Sequence, residues 1–321
     1  MKQNHSTVTE FILVGFMDDP ELKVPLFILF LGIYLTAMVG NTGIIILTRT
    51  DARLQTPMYF FLRNLSIADI GYSTTIAPKL LSTFIAENAS ISFTGCTVQF
   101  FFFALFVTTE GCLLAVMAYD RFTAICHPLL YFVVMSQKLC ITLVMVAYAC
   151  ALASSTLQTI FIFRLNFCSS NVIDHFFCDV PPILKLSCSD THVTHTVHFI
   201  LSSTIALTTF LIVLVSYVAI VFAILRIHST QGRYKAFSTC ASHLTAVTIF
   251  FGTLIFMYIR PGSSVSTNQD KIVSVFYTLV ISFLNPLIYS LRNKDVKDAF
   301  RRVLGHLQAI VSLTLHPPSL L

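Results

Sequence analysis

The sequence has little charge and no tryptophan. Asp, Glu, Lys and Arg make up 11% of the 321 residues, whereas soluble domains carry about 25%. Hydrophobic residues account for 55%, including 30 Phe, which is more apolar surface than one small core can hide. These proportions exclude a disordered or collagen-like chain and argue against nucleic-acid binding. Without Trp, an aromatic belt at a membrane interface has to use Tyr and Phe.

Seven long apolar stretches dominate the chain. A membrane-spanning helix needs about 20 mostly apolar residues, so the stretches predict an all-α membrane protein, a seven-transmembrane helix bundle with a short amphipathic C-terminal helix. Polar residues interrupt the second, sixth and seventh spans, and such residues usually face a bundle interior or a cavity. The predicted spans are Val24–Leu47, Met58–Leu81, Val98–Tyr119, Leu139–Phe163, Val197–Leu225, Ala236–Ile259 and Ile272–Leu291.

Several catalytic and transport signatures are missing. The sequence contains no Gly-rich phosphate loop, no HExxH and no zinc-type pair of CxxC motifs, so we expect no enzyme, no catalytic residue and no cofactor. An odd number of spans without an internal repeat weakens an inverted-repeat transporter interpretation. The seventh span has no Lys to anchor retinal.

The basic residues orient the chain. With the N-terminus outside, thirteen of the 20 Lys and Arg lie on the inner side and seven on the outer side, as the positive-inside rule favours. Asn4 begins a glycosylation sequon, and Asn88 begins a second one in the loop after span two; this orientation puts both outside. We therefore expect a plasma-membrane protein with an extracellular N-terminus (1–23), a transmembrane domain (24–292), an amphipathic helix (293–306) and a cytoplasmic tail (307–321).

The amphipathic helix is predicted from a periodic stripe. Apolar residues recur at i, i+4, i+7 and i+8 between Val296 and Leu304, while Lys297, Arg301 and Arg302 lie off the stripe. Such a helix lies on the inner leaflet with its basic side chains toward anionic membrane lipids.

Four of the nine cysteines fall in predicted outer segments: Cys96, Cys168, Cys178 and Cys188. An even number there suits disulfides in an oxidising compartment. The sequence alone allows three pairings.

Two short motifs lie at the inner ends of spans. Asp120-Arg121 ends span three, where an adjacent acid and base can hold one another in a closed state or form an ordinary interfacial ion pair of little energetic value. Asn285-Pro286 lies in span seven. Proline removes a backbone hydrogen bond, and we expect the Asn285 side chain to satisfy the freed group at a hinge; a simple kink is the alternative.

Together these elements resemble a rhodopsin-like G-protein-coupled receptor, and more narrowly a vertebrate olfactory receptor. The resemblance covers about residues 11–305, and the span-six string is its most specific part. The motifs are Pro57–Leu62 (PMYFFL), Met117–Arg121 (MAYDR) with Ala124–Cys126, Ser216-Tyr217, Lys235–His243 (KAFSTCASH) and Pro286–Asn293 (PLIYSLRN).

The resemblance implies disulfides Cys96–Cys178 and Cys168–Cys188, and a ligand cavity in the outer halves of spans three, five, six and seven. Helical spacing makes the lining apolar with a few hydroxyls, which suits a small, neutral, mostly hydrophobic odorant; we expect no charged residue at that depth. The predicted ligand-binding residues are Phe103, Ala104, Val107, Thr108, His198, Leu201, Ser202, Ile205, Phe251, Leu254, Ile255, Tyr258, Val275 and Thr278.

The implied partner is a heterotrimeric stimulatory G protein that raises cyclic AMP. The predicted coupling and switch residues are Asp120, Arg121, Tyr217, Lys235, Ser238, His243, Asn285, Pro286 and Tyr289. The chain departs from the family pattern at Phe122 and Phe251, where Tyr is usual, and Phe251 removes a hydroxyl from the expected cavity floor. The alternatives are a seven-helix receptor for a non-odorant metabolite and an ion-coupled transporter.

Two carboxylates lie deep in apolar spans. Asp69 and Glu110 cannot both stay ionised without a cation, a shared proton or polar partners. The resemblance brings Asn41 and Asn285 beside them, so one hypothesis is a sodium or proton site. The other is a protonated Glu110 hydrogen-bonded within the bundle.

Three histidines recur at every third position, His192, His195 and His198. Such spacing can hold copper or zinc on one helix face. No further ligand shell accompanies them, and we predict no metal site.

Overall fold

The computed structural model describes residues 8–16, 20–85, 89–168, 170–259, 267–292 and 295–302. Most of these residues are helical. The helices are α1 (Pro20–Thr50), α2 (Pro57–Ile85), α3 (Phe93–Cys126), α4 (Tyr131–Val134), α5 (Gln137–Phe163), α6 (Val180–Leu184), α7 (His192–Leu225), α8 (Thr230–Ile259), α9 (Thr267–Val275) and α10 (Ile281–Arg292), with a 3-10 turn at Ala52–Leu54 and a π-helical turn at Phe276–Val280. Residues 295–302 form a further helix, α11.

The long helices correspond to the seven predicted spans. Five helical runs among the described residues are long and apolar enough to cross a membrane singly, and α8 is a sixth with a bend of 43°. α2 is less apolar because Arg63, Asp69 and Lys79 interrupt it. α9, the π-helical turn and α10 together make the seventh span. The chain is an all-α, multi-pass membrane protein.

The helices are longer than the apolar stretches that predict them. α1 begins at Pro20 rather than at Val24. α3 follows Ser92, whose side-chain oxygen accepts a hydrogen bond from the backbone N–H of Gly95, and Ser136 caps α5 in the same way. Hydropathy marks only the apolar part of a helix, whereas α3 and α5 begin at their capping serines.

A small sheet that the sequence does not predict covers one end of the bundle, named the outer end after the predicted orientation. Its strands are β1 (Glu10–Leu13), β2 (Ser90–Ser92) and β3 (Val172–Ile173), in the order β2-β1-β3. β1 is antiparallel to β2 and parallel to β3. Phe11 and Leu13 are fully buried, while the alternate residues of β1 are exposed. The N-terminal segment is thus packed against the loops that follow α2 and α5.

Two disulfides hold the loop between α5 and α7. Cys178 is bonded to Cys96 in the first turn of α3, and Cys168 is bonded to Cys188. These are the pairs that the resemblance implies. The loop carrying Asp179 and α6 is therefore fixed over the bundle.

The backbone carbonyl that Pro286 leaves without a helical hydrogen bond finds a partner other than the expected Asn285 side chain. Because Pro286 has no N–H, the carbonyl of Ser282 loses its helical partner. The side chain of Asn41 on α1 donates to that carbonyl at 3.0 Å, whereas Asn285 bonds elsewhere. A methyl group on Gly40 would lie 2.9 Å from Cβ of Pro286, so glycine permits the close approach of α1 that the bond requires.

The described part of the C-terminal helix contacts the inner end of α1. Nη2 of Arg302 lies 2.5 Å from Oδ2 of Asp51, and hydrogen bonding to Arg302 lowers the pKa of Asp51. Val296 is buried and Phe300 is exposed. Residues 293–294 and 303–306 of the predicted amphipathic helix lie outside the described residues, so its full stripe stays a prediction.

Candidate functional site

A cavity of about 280 Å³ lies between α3, α5, α7, α8, the π-helical turn and the start of α6. Most of its lining side chains are apolar. The lining residues are Phe100, Phe103, Ala104, Val107, Thr108, Gly111, Ser154, Gln158, Asp179, Val180, Pro181, His198, Ser202, Ile205, Ala206, Thr209, Phe250, Phe251, Leu254 and Tyr277. The volume is near the lower end of those typical for ligand sites, which run from about 300 to 1,000 Å³.

Nine of the fourteen predicted ligand-binding residues lie in this wall. They are Phe103, Ala104, Val107, Thr108, His198, Ser202, Ile205, Phe251 and Leu254. Leu201, Ile255, Val275 and Thr278 are outside it; Ile255 is exposed on the bundle surface, and the hydroxyl of Thr278 donates to the carbonyl of Ser274. The side chain of Tyr258 lies outside the described residues. The role of the nine in binding stays a prediction.

The prediction missed the contribution of α5. Ser154 and Gln158 are both buried and both line the cavity. Their spacing of four residues within an apolar span was the available signal, because polar side chains in a span usually face the interior. Oε1 of Gln158 lies 2.7 Å from Nδ1 of His198 on α7, so a polar patch joins the two helices at the wall.

The expectation that the cavity has no charged residue is wrong. Asp179 follows the Cys178 bridge and lies in the lining. Its Oδ2 accepts from the hydroxyl of Tyr277 at 3.1 Å, and its Oδ1 accepts from the N–H of Val180 at 2.8 Å. Burial raises the pKa of Asp179, while the two hydrogen bonds oppose the rise. Asp179 lies between the fourth and fifth predicted spans, and the Cys96–Cys178 disulfide holds this segment against the bundle.

Aromatic rings form the floor of the cavity. Phe251 packs edge-on against Phe250 of the same helix and against Phe210 of α7, with ring centroids 5.2 and 5.6 Å apart. A methyl group on Gly111 would lie 3.2 Å from the Phe250 ring. The floor therefore couples α3, α7 and α8 by apolar packing alone, as expected without a hydroxyl on Phe251.

Below the floor, Asp69 and Glu110 share one partner. Nδ2 of Asn285 lies 3.2 and 3.0 Å from the two carboxylate oxygens of Asp69 and 3.1 Å from Oε1 of Glu110. All three side chains are buried. Asn41 does not join them, because its amide donates to backbone carbonyls of Ala37 and Ser282. Three of the four predicted ion-site residues thus meet. Whether a cation or a shared proton lies between the two carboxylates stays a prediction.

The Asp120–Arg121 pair does not form in the described structure. Asp120 accepts instead from the hydroxyl of Tyr131 on α4, at 2.8 Å. Neighbouring residues of a helix do not face each other, which separates the two charges. Nε of Arg121 is buried and has no hydrogen-bond partner among the described residues. The predicted acid–base lock is therefore a link between α3 and α4.

A second link joins three spans at their inner ends. Nε2 of His243 lies 3.1 Å from the carbonyl oxygen of Leu114, and Nδ1 lies 2.7 Å from the hydroxyl of Tyr217. A carbonyl only accepts, so Nε2 carries the proton and Nδ1 accepts from Tyr217. His243 is fully buried. The imidazole consequently connects α8 to both α3 and α7.

The other predicted coupling residues are dispersed. Ser238 is exposed, Pro286 packs against α1, and the buried hydroxyl of Tyr289 has no partner among the described residues. The side chain of Lys235 lies outside the described residues, as do the predicted glycosylation residues Asn4 and Asn88.

The three periodic histidines do not assemble a site. His192 and His195 are exposed, and His198 is engaged with Gln158. Within the described ranges, no group of three or more His, Cys, Asp or Glu side chains could hold a metal ion.

A cavity beneath a disulfide-bonded loop, within seven long helices, is the architecture of a seven-transmembrane receptor. Residues 30–306 match the sequence model of the olfactory receptor family. Olfactory receptor 5AR1 of Mus musculus is 54% identical over 304 residues, which cover 95% of this chain and 98% of that relative. Olfactory receptor 5AP2 of Mus musculus is 56% identical over 302 residues (94% and 95%), and olfactory receptor 5I1 of Homo sapiens is 53% identical over 302 residues (94% and 96%). The chain belongs to the olfactory receptor family, whose members are receptors and not enzymes.

Proposed function

We propose that this chain is an odorant receptor of the plasma membrane, with its N-terminus outside, that binds a small, neutral, mostly hydrophobic molecule in the cavity between α3, α5, α7 and α8. The observation that carries the proposal is the cavity itself, about 280 Å³ of mostly apolar wall with a few polar groups. A site of this composition favours an apolar guest oriented by one or two hydrogen bonds.

Signalling follows from the packing below the cavity. A ligand in contact with Phe251 acts on a ring that also packs against Phe210 of α7. Ligand binding shifts an existing equilibrium between two arrangements of the bundle. The inner end of α8, tied to its neighbours through His243, then moves to admit a stimulatory G protein, and cyclic AMP rises.

The cluster of Asp69, Glu110 and Asn285 supports a regulatory ion site in the same receptor. We propose that it holds a sodium ion or a shared proton between the carboxylates. The same cluster is the observation that favours the second candidate, an ion-coupled transporter. Ligand-evoked cyclic AMP without charge movement supports the receptor, and ligand-evoked current without a G protein supports the transporter.

The test is a panel of odorants screened for cyclic AMP output in cells that supply trafficking help, with receptor at the surface measured by an N-terminal epitope. An active compound is then assayed on Phe251→Leu and Thr108→Val, which alter the cavity wall. We expect the half-maximal concentration to rise about tenfold or more. The matched control is Phe222→Leu, because the side chain of Phe222 on α7 is 61% exposed and does not line the cavity.

Unchanged potency in both cavity variants would place the ligand elsewhere. A non-odorant metabolite receptor is supported if odorants fail while endogenous metabolites raise cyclic AMP. Charge movement in cells lacking the G protein would replace the receptor proposal with the transporter.

A further inference from the structure

A chain of three polar side chains runs from α5 to α7 at the cavity wall. Nε2 of Gln158 donates to Oγ of Ser154 at 2.9 Å, and Oε1 of Gln158 lies 2.7 Å from Nδ1 of His198. Ser154 and Gln158 are more than nine-tenths buried. In this arrangement the amide nitrogen of Gln158 faces Ser154 and the amide oxygen faces His198.

This orientation decides which nitrogen of His198 carries the proton. The amide oxygen of Gln158 only accepts, so Nδ1 of His198 is the donor. A neutral imidazole with a proton on Nδ1 has a lone pair on Nε2. Nε2 has no hydrogen-bond partner among the described residues, and the His198 side chain lines the cavity.

The imidazole is neutral because it has no counter-charge. Among the described residues no carboxylate pairs with His198, and an unpaired imidazolium beside an apolar cavity is unfavourable. His198 therefore presents an acceptor and not a donor.

A second acceptor, the side chain of Asp179, also lines the cavity. The carboxylate of Asp179 accepts from Tyr277 and from Val180. The hydroxyls of Thr108 and Ser202 can turn to donate or to accept, so they do not discriminate between ligands. The lone pair of the imidazole cannot turn, and this makes it the group that selects.

We propose that Nε2 of His198 is a specificity-determining acceptor, so that the receptor prefers alcohols and phenols to the ketone or ether of the same carbon skeleton. This inference rests on the proposed odorant function. A ligand hydroxyl donates to Nε2, whereas a carbonyl or ether oxygen there opposes one lone pair with another. A site built to bond a hydroxyl discriminates strongly against an analogue that lacks it, since its own polar group is left unpaired.

The experiment compares cyclic AMP dose–response curves for matched sets, such as cyclooctanol, cyclooctanone and methoxycyclooctane, or phenol and anisole, on several skeletons. The measured quantity is the ratio of ketone or ether half-maximal concentration to alcohol half-maximal concentration. In the wild type we expect a ratio of about ten or more on any skeleton that activates.

Two variants lower the ratio to different extents. His198→Phe removes the acceptor and should bring the ratio near one. Gln158→Glu supplies a carboxylate that holds the imidazole as imidazolium, so Nε2 gains a proton and donates; the ratio should fall below one. His195→Phe is the matched control, because His195 lies one turn away on α7 and is exposed; its ratio should equal that of the wild type.

The variants separate the inference from the proposed function. If alcohols and ketones are equally potent on the wild type, or if both variants reach the surface and leave the ratio unchanged, the inference is wrong while the odorant function stands. A wild-type preference for ketones would mean that Nε2 of His198 carries the proton, and it would overturn the inference as well. If no compound of any class raises cyclic AMP from receptor that is at the surface, the proposed function fails, and the inference falls with it.

Discussion

The amino group of Lys271 lies 2.9 Å from the carbonyl oxygen of Gly15. The same nitrogen lies 3.3 Å from the carbonyl oxygen of Val14 and 2.6 Å from a carboxylate oxygen of Asp174. Lys271 belongs to α9, and its side chain is 3% exposed. The outer end of the seventh span therefore holds both the N-terminal segment and the loop between α5 and α7.

The first prediction concerns this clamp. Lys271→Met keeps most of the side-chain length and removes the charge and the three contacts, leaving buried carbonyls without a donor. We expect the free energy of unfolding to fall by about 1–3 kcal/mol, measured as a lower thermal midpoint of the purified receptor in detergent. Lys185→Met, at an exposed lysine of the same loop, is the control. An unchanged midpoint in Lys271→Met would mean that the clamp does not stabilise the fold.

A second prediction follows from the buried imidazole beside the clamp. Burial holds the pKa of His175 at about 3, against an ordinary 6.5, and the positive charge of Lys271 acts in the same direction. Above pH 6.5 His175 is neutral in the folded and unfolded chain, and its contribution to stability is complete. As the pH falls below 6.5, His175 binds a proton in the unfolded chain but not in the folded chain. The free energy of unfolding therefore falls by about 1.4 kcal/mol for each pH unit.

The measurement is the thermal midpoint at pH 7.5 and at pH 5.5, for the wild type and for His175→Gln. Glutamine does not titrate, so the variant should lose less between the two pH values. Exposed carboxylates titrate alike in both proteins and cancel in the comparison. Equal losses would remove His175 as a source of the pH dependence.

The inner link supplies a third prediction. Tyr217→Phe removes the hydroxyl that donates a hydrogen bond to Nδ1 of His243. The other ring nitrogen, Nε2, keeps its hydrogen bond to the carbonyl of Leu114. A buried acceptor without a partner costs about 1–3 kcal/mol, so we expect a lower thermal midpoint together with unchanged ligand affinity, since the cavity is not altered. Tyr234→Phe, at an exposed tyrosine of α8, serves as the comparison. A stable Tyr217→Phe receptor would show that the hydroxyl is dispensable.

A fourth prediction tests the carboxylate cluster. If sodium binds between Asp69 and Glu110, replacing choline by sodium raises the thermal midpoint of the wild type, because a ligand of the folded state stabilises it. Glu110→Gln removes one charge and should abolish the sodium effect, while Glu10→Gln on β1 should retain it. An identical sodium effect in Glu110→Gln would place the ion away from Glu110, and the absence of a sodium effect in the wild type would favour the shared proton or the protonated Glu110.

Much of this fold could be predicted from hydropathy and spacing, because seven spans are long and the cavity faces of α3 and α7 repeat with the helical period. The parts that could not be predicted depend on contacts between distant segments. Strands of two to four residues carry no periodic signal. The residues around Asn41 give no sign that its side chain donates a hydrogen bond to the carbonyl that Pro286 leaves unpaired. The place of Asp179 in the cavity wall could not be predicted either, because it is set by a disulfide and not by its neighbours in sequence.

The outer sheet also sets an order of assembly. Ile12 on β1 pairs with Val172 on β3, and about 160 residues separate the two positions in the chain. At about 5–20 residues per second of synthesis, β1 waits on the order of ten seconds before its parallel partner leaves the ribosome. The segment that is made first therefore cannot join the sheet until four of the spans have been made, and it is open to modifying enzymes and chaperones during that time.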